Sequence, residues 1–230
     1  MPDIFSNTND GKIDTGNVSG HSAARGASSG TATANENSSN SAIKYFRTSG
    51  RGATTVAIAR SFFFFDTSGV TGTVASATLN ISFSSNTSDF NIIIVKSDAF
   101  GGDGGTALAN DDFNNVDFST PYASALATGG SSTGTATFTL NATALTDIKN
   151  NNAFIVALLE SDYDFSNSEP GDISETLAVK FAEQSGTSSD PKLSYTLATG
   201  YSHDIMGLAA ANIGKVNTVA TANVGKVSGT

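Results

Sequence analysis

The segment Thr55-Val-Ala-Ile-Ala-Arg-Ser-Phe-Phe-Phe-Phe-Asp66 decides the fold of this chain. In an extended strand, successive side chains point to opposite faces. One face then carries Val56, Ile58, Phe62 and Phe64, and the other carries Phe63 and Phe65. A strand that is apolar on both faces must be covered on both sides, so this segment is predicted to be a central strand.

The sequence on either side of this strand indicates further β-strands. Val74 to Phe83 alternates, with Thr78, Asn80 and Ser82 pointing outward. Residues 90–95 are apolar apart from Asn91, and residues 153–160 read as a buried strand. About eight such strands, separated by Gly, Ser and Asp turns, predict an all-β protein, a β-sandwich that is most simply a jelly roll. We expect one core between its two sheets, lined by Leu79, Ile81, Phe83, Phe138, Leu177, Val179 and Tyr195.

A short helix is predicted to interrupt the strands. Asn141 can cap a segment that carries Ala144, Leu145 and Ile148 and ends at the cluster of residues 150–152.

Composition restricts the function of the 230-residue chain. The formal net charge is -9, and no basic run exists, which argues against a nucleic-acid partner. The absence of cysteine excludes disulfides and thiolate zinc sites. No stretch approaches the length of a membrane span, and the first residues show no export signal, so no membrane partner is expected.

The chain divides into three parts by composition. Residues 1–40 are rich in Gly, Ser, Asn and Thr and are predicted to be a low-complexity N-terminal arm that orders on a partner or remains a linker. Residues 41–199 are predicted to be the sandwich domain. Residues 200–230 are predicted to be an assembly tail built on an eleven-residue repeat.

The repeat in the tail is clear in sequence. Residues 211–217 read Ala-Asn-Ile-Gly-Lys-Val-Asn and return eleven residues later as Ala-Asn-Val-Gly-Lys-Val-Ser. A right-handed supercoiled helix and a stack of turn-and-strand units both fit this period. Two or three short copies need another surface, which we expect to be equivalent tails in a homo-oligomer, a trimer being favoured; packing on the chain's own sandwich is the rival. The predicted assembly residues are Ile205, Leu208, Ile213, Val216, Val219, Val224 and Val227.

Two segments of the body carry a family resemblance. They are Arg60-Ser-Phe-Phe-Phe-Phe-Asp-Thr-Ser-Gly69 with Val74-Ala-Ser-Ala-Thr-Leu-Asn-Ile81, and Phe181-Ala-Glu-Gln-Ser-Gly-Thr-Ser-Ser-Asp-Pro-Lys-Leu-Ser-Tyr195. Both resemble the DNRLRE-type β-sandwich domain of bacterial and archaeal surface proteins. The resemblance covers roughly residues 40–198 and implies a jelly roll related in shape to carbohydrate-binding modules.

The tail separately resembles the Ala-Asn-Ile-x-Lys-Val-Asn-Gly-Val endings of marine bacteriophage structural proteins, with Thr218 in place of the usual Gly. Together the resemblances imply a non-enzymatic bacteriophage virion structural protein, made in the host cytoplasm and held to other virion proteins by its terminal arms. It would be a capsid decoration protein, a tail component or a tail fibre. The alternatives are a carbohydrate-binding module that attaches a tail fibre to host surface glycans, and a bacterial surface adhesin.

One cluster of carboxylates suggests a metal site. Asp162, Asp164, Glu169 and Asp172 follow a buried strand, and their alternating oxygens suit calcium. The alternative is that they are solvated turn residues, and no other cofactor is expected.

Catalytic signals are weak. Two Gly-x-Ser-x-Gly matches, at residues 26–30 and 130–134, lack the strand-then-helix context of a nucleophile elbow. The two histidines, His21 and His203, lie outside the predicted body. The sequence therefore predicts no enzyme.

Overall fold

A computed structural model describes residues 2–34, 38–86, 89–130, 133–182, 186–198, 215–216 and 219–220. The strands are β1 (Asp3–Phe5), β2 (Gly11–Asp14), β3 (Val18–Ser19), β4 (Thr31–Ala34), β5 (Ser38–Gly50), β6 (Ala53–Asp66), β7 (Val74–Asn86), β8 (Asn91–Ser97), β9 (Val116–Pro121), β10 (Leu126–Ala127), β11 (Gly134–Thr139), β12 (Ala153–Glu160), β13 (Ile173–Lys180), β14 (Lys192–Leu197), β15 (Lys215–Val216) and β16 (Val219–Ala220).

The helical elements are few and short. They are α1 (His21–Arg25), α2 (Ala142–Asn150), 3-10 helices at Phe100–Gly102 and Asn110–Asn114, and a π-helical turn at Ser161–Phe165. The predicted cap of α2 is confirmed, because the Asn141 side chain accepts a hydrogen bond from the Ala144 amide at 3.1 Å. None of the described helices is long and apolar enough to cross a membrane.

The described fold is all-β, as the sequence predicts, and its paired strands run antiparallel. The strand order of the main path is β1-β14-β7-β13-β5-β6-β12-β8-β10. Strand β11 pairs with β7, β9 pairs with β8, β2 and β3 pair with β6, and β4 pairs with β2. This arrangement is consistent with a β-sandwich, while its jelly-roll order stays a prediction.

The first core lies on one face of β6 and is the predicted one. Phe63 and Phe65 of β6 pack there against the inward residues of β7, β11, β13 and β14. All seven predicted core residues belong to this cluster and are at most 8% exposed. The alternation read from β7 is therefore confirmed.

A second core lies on the opposite face of β6. Val56, Ile58, Phe62 and Phe64 belong to it, so the prediction that β6 is covered on both sides is confirmed. Its cover is formed by loops and by the N-terminal segment. The residues of this cover that are fully buried are Ile13, Ala24, Ala99, Phe100 and Phe113.

The N-terminal segment is thus part of the folded body, and its prediction as a separate arm is wrong for residues 3–34. Strand β2 pairs with β6 from Gly11↔Phe62 to Asp14↔Ala59, and β1 pairs with β14. Small residues allow the close approach: a Cβ added at Gly30 would lie 2.7 Å from Cγ2 of Ile13. The N-terminal segment has few large apolar residues because it forms only a thin layer over the second core.

The first prediction concerns the main core. We expect Phe138→Ala to lower the free energy of unfolding by about 3–5 kcal/mol, because it leaves a cavity between the sheets where the ring is fully buried. Urea denaturation measures this change. Thr135→Val, on the exposed face of the same strand, is the matched control and should change stability by less than about 0.5 kcal/mol. A cost below about 1 kcal/mol for Phe138→Ala would contradict the assigned packing.

Candidate functional site

The four carboxylates predicted to bind calcium do not form one site in the structure. Asp164 is fully buried, while Asp162 accepts hydrogen bonds from the Asn91 side-chain amide at 3.0 and 3.1 Å. Glu169 and Asp172 lie at the surface and share Arg47, at 3.1 and 2.9 Å from its guanidinium nitrogens. The predicted set is therefore wrong as a metal centre, because its members have different partners.

Asp164 instead forms a buried ion pair with Arg60, which lies on the central strand. Both side chains are fully buried. Arg60 donates from Nε to Oδ2 of Asp164 at 2.8 Å and from an Nη to Oδ1 at 2.7 Å. This two-point geometry matches the planar guanidinium to the carboxylate. The pair explains why a charged residue can occupy an inward position of a strand that is apolar on both faces.

The remaining donors of Arg60 reach two other segments of the chain. They donate to the backbone carbonyls of Phe113 at 2.8 Å and Arg25 at 3.0 Å. The guanidinium also lies 4.0 Å from the centre of the Phe113 ring, a cation–π contact. Arg60 therefore connects β6, the turn after β12, the loop before β9 and the N-terminal segment.

The π-helical turn that carries Asp164 is shaped by Glu160. The Glu160 carboxylate accepts hydrogen bonds from the backbone amides of Asp162, Tyr163 and Asp164, the last at 2.9 Å. Glu160 is 1% exposed. Burial raises the pKa of Glu160 to about 7, although the three amide donors act in the opposite direction.

Glu175 on β13 is a second buried carboxyl near this turn. It is 6% exposed, and its Oε2 is buried without a hydrogen-bond partner. Burial and the charge of Asp162 raise the pKa of Glu175 to about 7. Across the described ranges, no three His, Cys, Asp or Glu side chains are grouped so that they could hold a metal ion. A proton on Glu175 makes its carboxyl neutral, and this reduces the free-energy cost of burying Oε2 without a hydrogen-bond partner.

His21 has a structural environment. It is 6% exposed, and its ring nitrogens lie 2.6 Å from the Tyr45 hydroxyl and 3.2 Å from Oδ1 of Asn167. The Gly26–Gly30 match follows α1 and precedes β4, which is the reverse of a nucleophile elbow. His203 lies outside the described residues.

Five of the seven predicted assembly residues lie outside the described part of the chain. Ile205, Leu208, Ile213, Val224 and Val227 are not described. Val216 in β15 pairs with Val219 in β16, in a two-residue antiparallel ladder. The backbone of residues 215–216 and 219–220 therefore forms a pair of short strands, which agrees with the turn-and-strand alternative for the repeat.

Comparison with known proteins adds no relative: no protein-family model and no curated protein matches the sequence. The resemblances to the DNRLRE-type domain and to phage structural proteins therefore rest on the quoted residues alone.

Sequence reasoning missed the cluster around Arg60, although one signal was present. Arg60 follows Val56 and Ile58 at the same two-residue spacing, so it had to point into the same core. A buried arginine requires an acidic partner, and this requirement restricts the partner to the few carboxylates near buried strands. The sequence does not select Asp164 among them.

The second prediction concerns the pH dependence of stability. Because the folded protein binds protons on Glu160 and Glu175 more tightly than the unfolded chain, the contribution of these groups to stability falls as pH rises from about 4.5 to 7. Glu175→Gln stays neutral, so its stability relative to wild type should increase between pH 5 and pH 8, by at most about 3 kcal/mol. Urea denaturation at both pH values measures the difference.

The matched control is Glu169→Gln, since Glu169 is a surface carboxylate paired with Arg47. Its effect on stability should be small at both pH values. If Glu175→Gln changed stability equally at pH 5 and pH 8, the assigned protonation of Glu175 would be wrong.

Proposed function

We propose that the protein is a non-enzymatic structural component of a bacteriophage particle, and that its C-terminal repeat is the element that assembles it. The body, residues 2–198, serves in this proposal as a rigid module at the particle surface. The contrast between a body with few exposed apolar side chains and a tail with a regular apolar pattern carries the proposal.

The body offers little apolar surface of its own. Among the described residues, Leu197 is the exposed large hydrophobic side chain, at 40%. It is the last residue of β14, directly before the tail. On soluble proteins, large exposed apolar patches mark surfaces that bind other molecules. This observation disfavours packing of the repeat on its own sandwich, the rival arrangement.

The tail supplies the complementary pattern. Its seven apolar residues recur with an eleven-residue period over about two and a half copies. Repeats of this size cannot bury their apolar residues alone and require neighbouring copies. Equivalent tails, most simply three around one axis, provide such a surface, and the resemblance to phage structural endings supports the same role.

The alternative of a carbohydrate-binding attachment module places the function in the loops of the body instead of the tail. A bacterial surface adhesin gains no specific support from the geometry of the described residues.

The third prediction tests the tail as the assembly element. The full chain should sediment as an oligomer, a trimer being favoured, and deletion of residues 204–230 should give a folded, soluble monomer. Analytical ultracentrifugation measures the mass, and circular dichroism checks the fold. A truncated chain with the mass of the full-length oligomer, or a full chain that is monomeric at all concentrations, would contradict the proposal.

A matched pair of variants separates the apolar pattern from the mere presence of the tail. Ile213→Ser with Val224→Ser removes two equivalent apolar positions of the repeat and should shift the oligomer toward monomer. Asn212→Ser with Asn223→Ser changes the neighbouring equivalent positions and should leave the mass unchanged. Equal effects of the two pairs would show that the apolar pattern does not direct assembly.

A further inference from the structure

Strand β11 is an open edge of the β-sheet. It pairs with β7 on one side, and no described strand pairs with its other side. We infer that this edge binds the same edge of a second copy of the chain, as an antiparallel pair of strands related by a two-fold axis. The inference deepens the proposed function and rests on it, because it names the contact through which bodies gathered by their tails meet.

The backbone of β11 presents hydrogen-bonding groups on its open side. The Leu140 amide, directly after β11, donates to the Ala77 carbonyl of β7 at 3.0 Å. Because backbone directions alternate along a strand, the amides and carbonyls of Thr135, Thr137 and Thr139 point away from β7. All three residues are exposed, and no described backbone group pairs with them on that side. A strand laid along this side would satisfy them by main-chain hydrogen bonds.

The other described edge strands carry features that discourage the addition of a strand. Strand β1 holds the charged residue Asp3, and β9 holds Asp117 and ends at Pro121. Strand β4 is covered by Asn110, whose side chain accepts the Ala32 amide at 2.9 Å. Strands β3 and β10 have two residues each. In contrast, β11 has six residues without charge or proline, and its register against β7 is unbroken.

The surroundings of β11 allow two copies of an acidic protein to approach each other. The chain has a formal net charge of -9, so contacts between copies tend to bring like charges together. Strands β11 and β7 contain no charged residue. The outer face beside the edge carries hydroxyl and amide groups, and the Thr137 hydroxyl donates to Oδ1 of Asn80 at 2.8 Å. Two copies can therefore meet at this edge without direct repulsion between charges.

The sequence of β11 is complementary to itself in one register. A two-fold axis at Thr137 forms three hydrogen-bonded residue pairs, namely Thr135↔Thr139, Thr137↔Thr137 and Thr139↔Thr135. Cross-strand threonine pairs are favourable. On the core side, this register places the small Ala136 opposite Phe138, so two rings do not collide. An axis at Ala136 or Phe138 leaves only two hydrogen-bonded pairs within β11.

One such contact is weak, and assembly by the tails strengthens it. Stable complexes bury about 1,200–2,000 Å² in total, and a single six-residue edge pair falls below this size. A chain without its tail therefore stays monomeric, in agreement with the third prediction. A two-fold contact cannot join three equivalent copies to one another, so the edges of a trimer join it to neighbouring trimers. Several edge contacts between assembled oligomers then act together.

Cross-linking of the full chain tests the pairing, because the chain has no cysteine and each introduced thiol is unique. The two thiols of Thr137→Cys lie opposite each other in the proposed register. In Thr135→Cys the two thiols are separated by about 13 Å along the strands. A short bifunctional maleimide should therefore couple Thr137→Cys at least about tenfold faster, since facing thiols have a raised effective concentration. Ser76→Cys, exposed on the interior strand β7, is the control and should couple slowly.

A second pair of variants tests the backbone hydrogen bonds. In the Thr137→Cys background, Thr135→Pro removes an amide that points away from β7, and edge strands tolerate such a proline. It should slow the coupling at least about tenfold, because it removes donors from the edge pair. Thr135→Val keeps the amide and should leave the coupling rate unchanged. Circular dichroism checks that both variants are folded.

Two outcomes would overturn the inference. They are coupling of Thr137→Cys that is no faster than that of Thr135→Cys or Ser76→Cys, and coupling that Thr135→Pro does not slow. Sedimentation of the same proteins before cross-linking reports separately on the tail. An oligomeric chain without selective coupling overturns the edge pairing alone, while a chain that sediments as a monomer contradicts the proposed function.

Discussion

The buried ion pair between Arg60 and Asp164 is the interaction on which the arrangement of this fold depends. Arg60 lies in the middle of the strand with the most apolar sequence of the chain, and its charge has to be compensated inside the protein. Removing one partner from a buried pair typically costs about 3–5 kcal/mol, because the other charge is then left unpaired. The geometry of the second core follows from this requirement.

Three segments that are distant in sequence meet at Arg60. The turn after β12 brings Asp164, the segment before β9 brings the Phe113 carbonyl, and the N-terminal segment brings the Arg25 carbonyl. Arg25 in turn donates from Nε to the Asp164 backbone carbonyl at 2.6 Å. These contacts hold the N-terminal covering layer on the second face of β6. The layer has few large apolar residues, so its burial alone contributes little to holding it there. The polar cluster therefore attaches the covering layer to β6, and the apolar residues around the cluster exclude water from it.

The features of the fold that could be predicted from the sequence are those set by residues close together in the chain. The double coverage of β6, the inward residues of β7 and the Asn141 cap of α2 follow from local patterns, and the structure confirms them. The role of residues 3–34 does not, because a thin layer of Gly, Ser and Thr shows little periodicity of its own. Its place is set by pairing with β6 and β14, and the sequence of the segment does not specify those partners. Asp164 was likewise misassigned to calcium because its true partner lies 104 residues away.

Hydrogen–deuterium exchange of the full chain, compared with Asp164→Asn, tests the central claim most directly. If the ion pair fastens the covering layer, the amides of β2 and β4 in the wild type should exchange about as slowly as those of β6. In Asp164→Asn they should exchange at least tenfold faster, while β7, β11 and β14 around the first core keep their protection. Unprotected amides in β2 and β4 of the wild type, or identical exchange in the two proteins, would contradict the account.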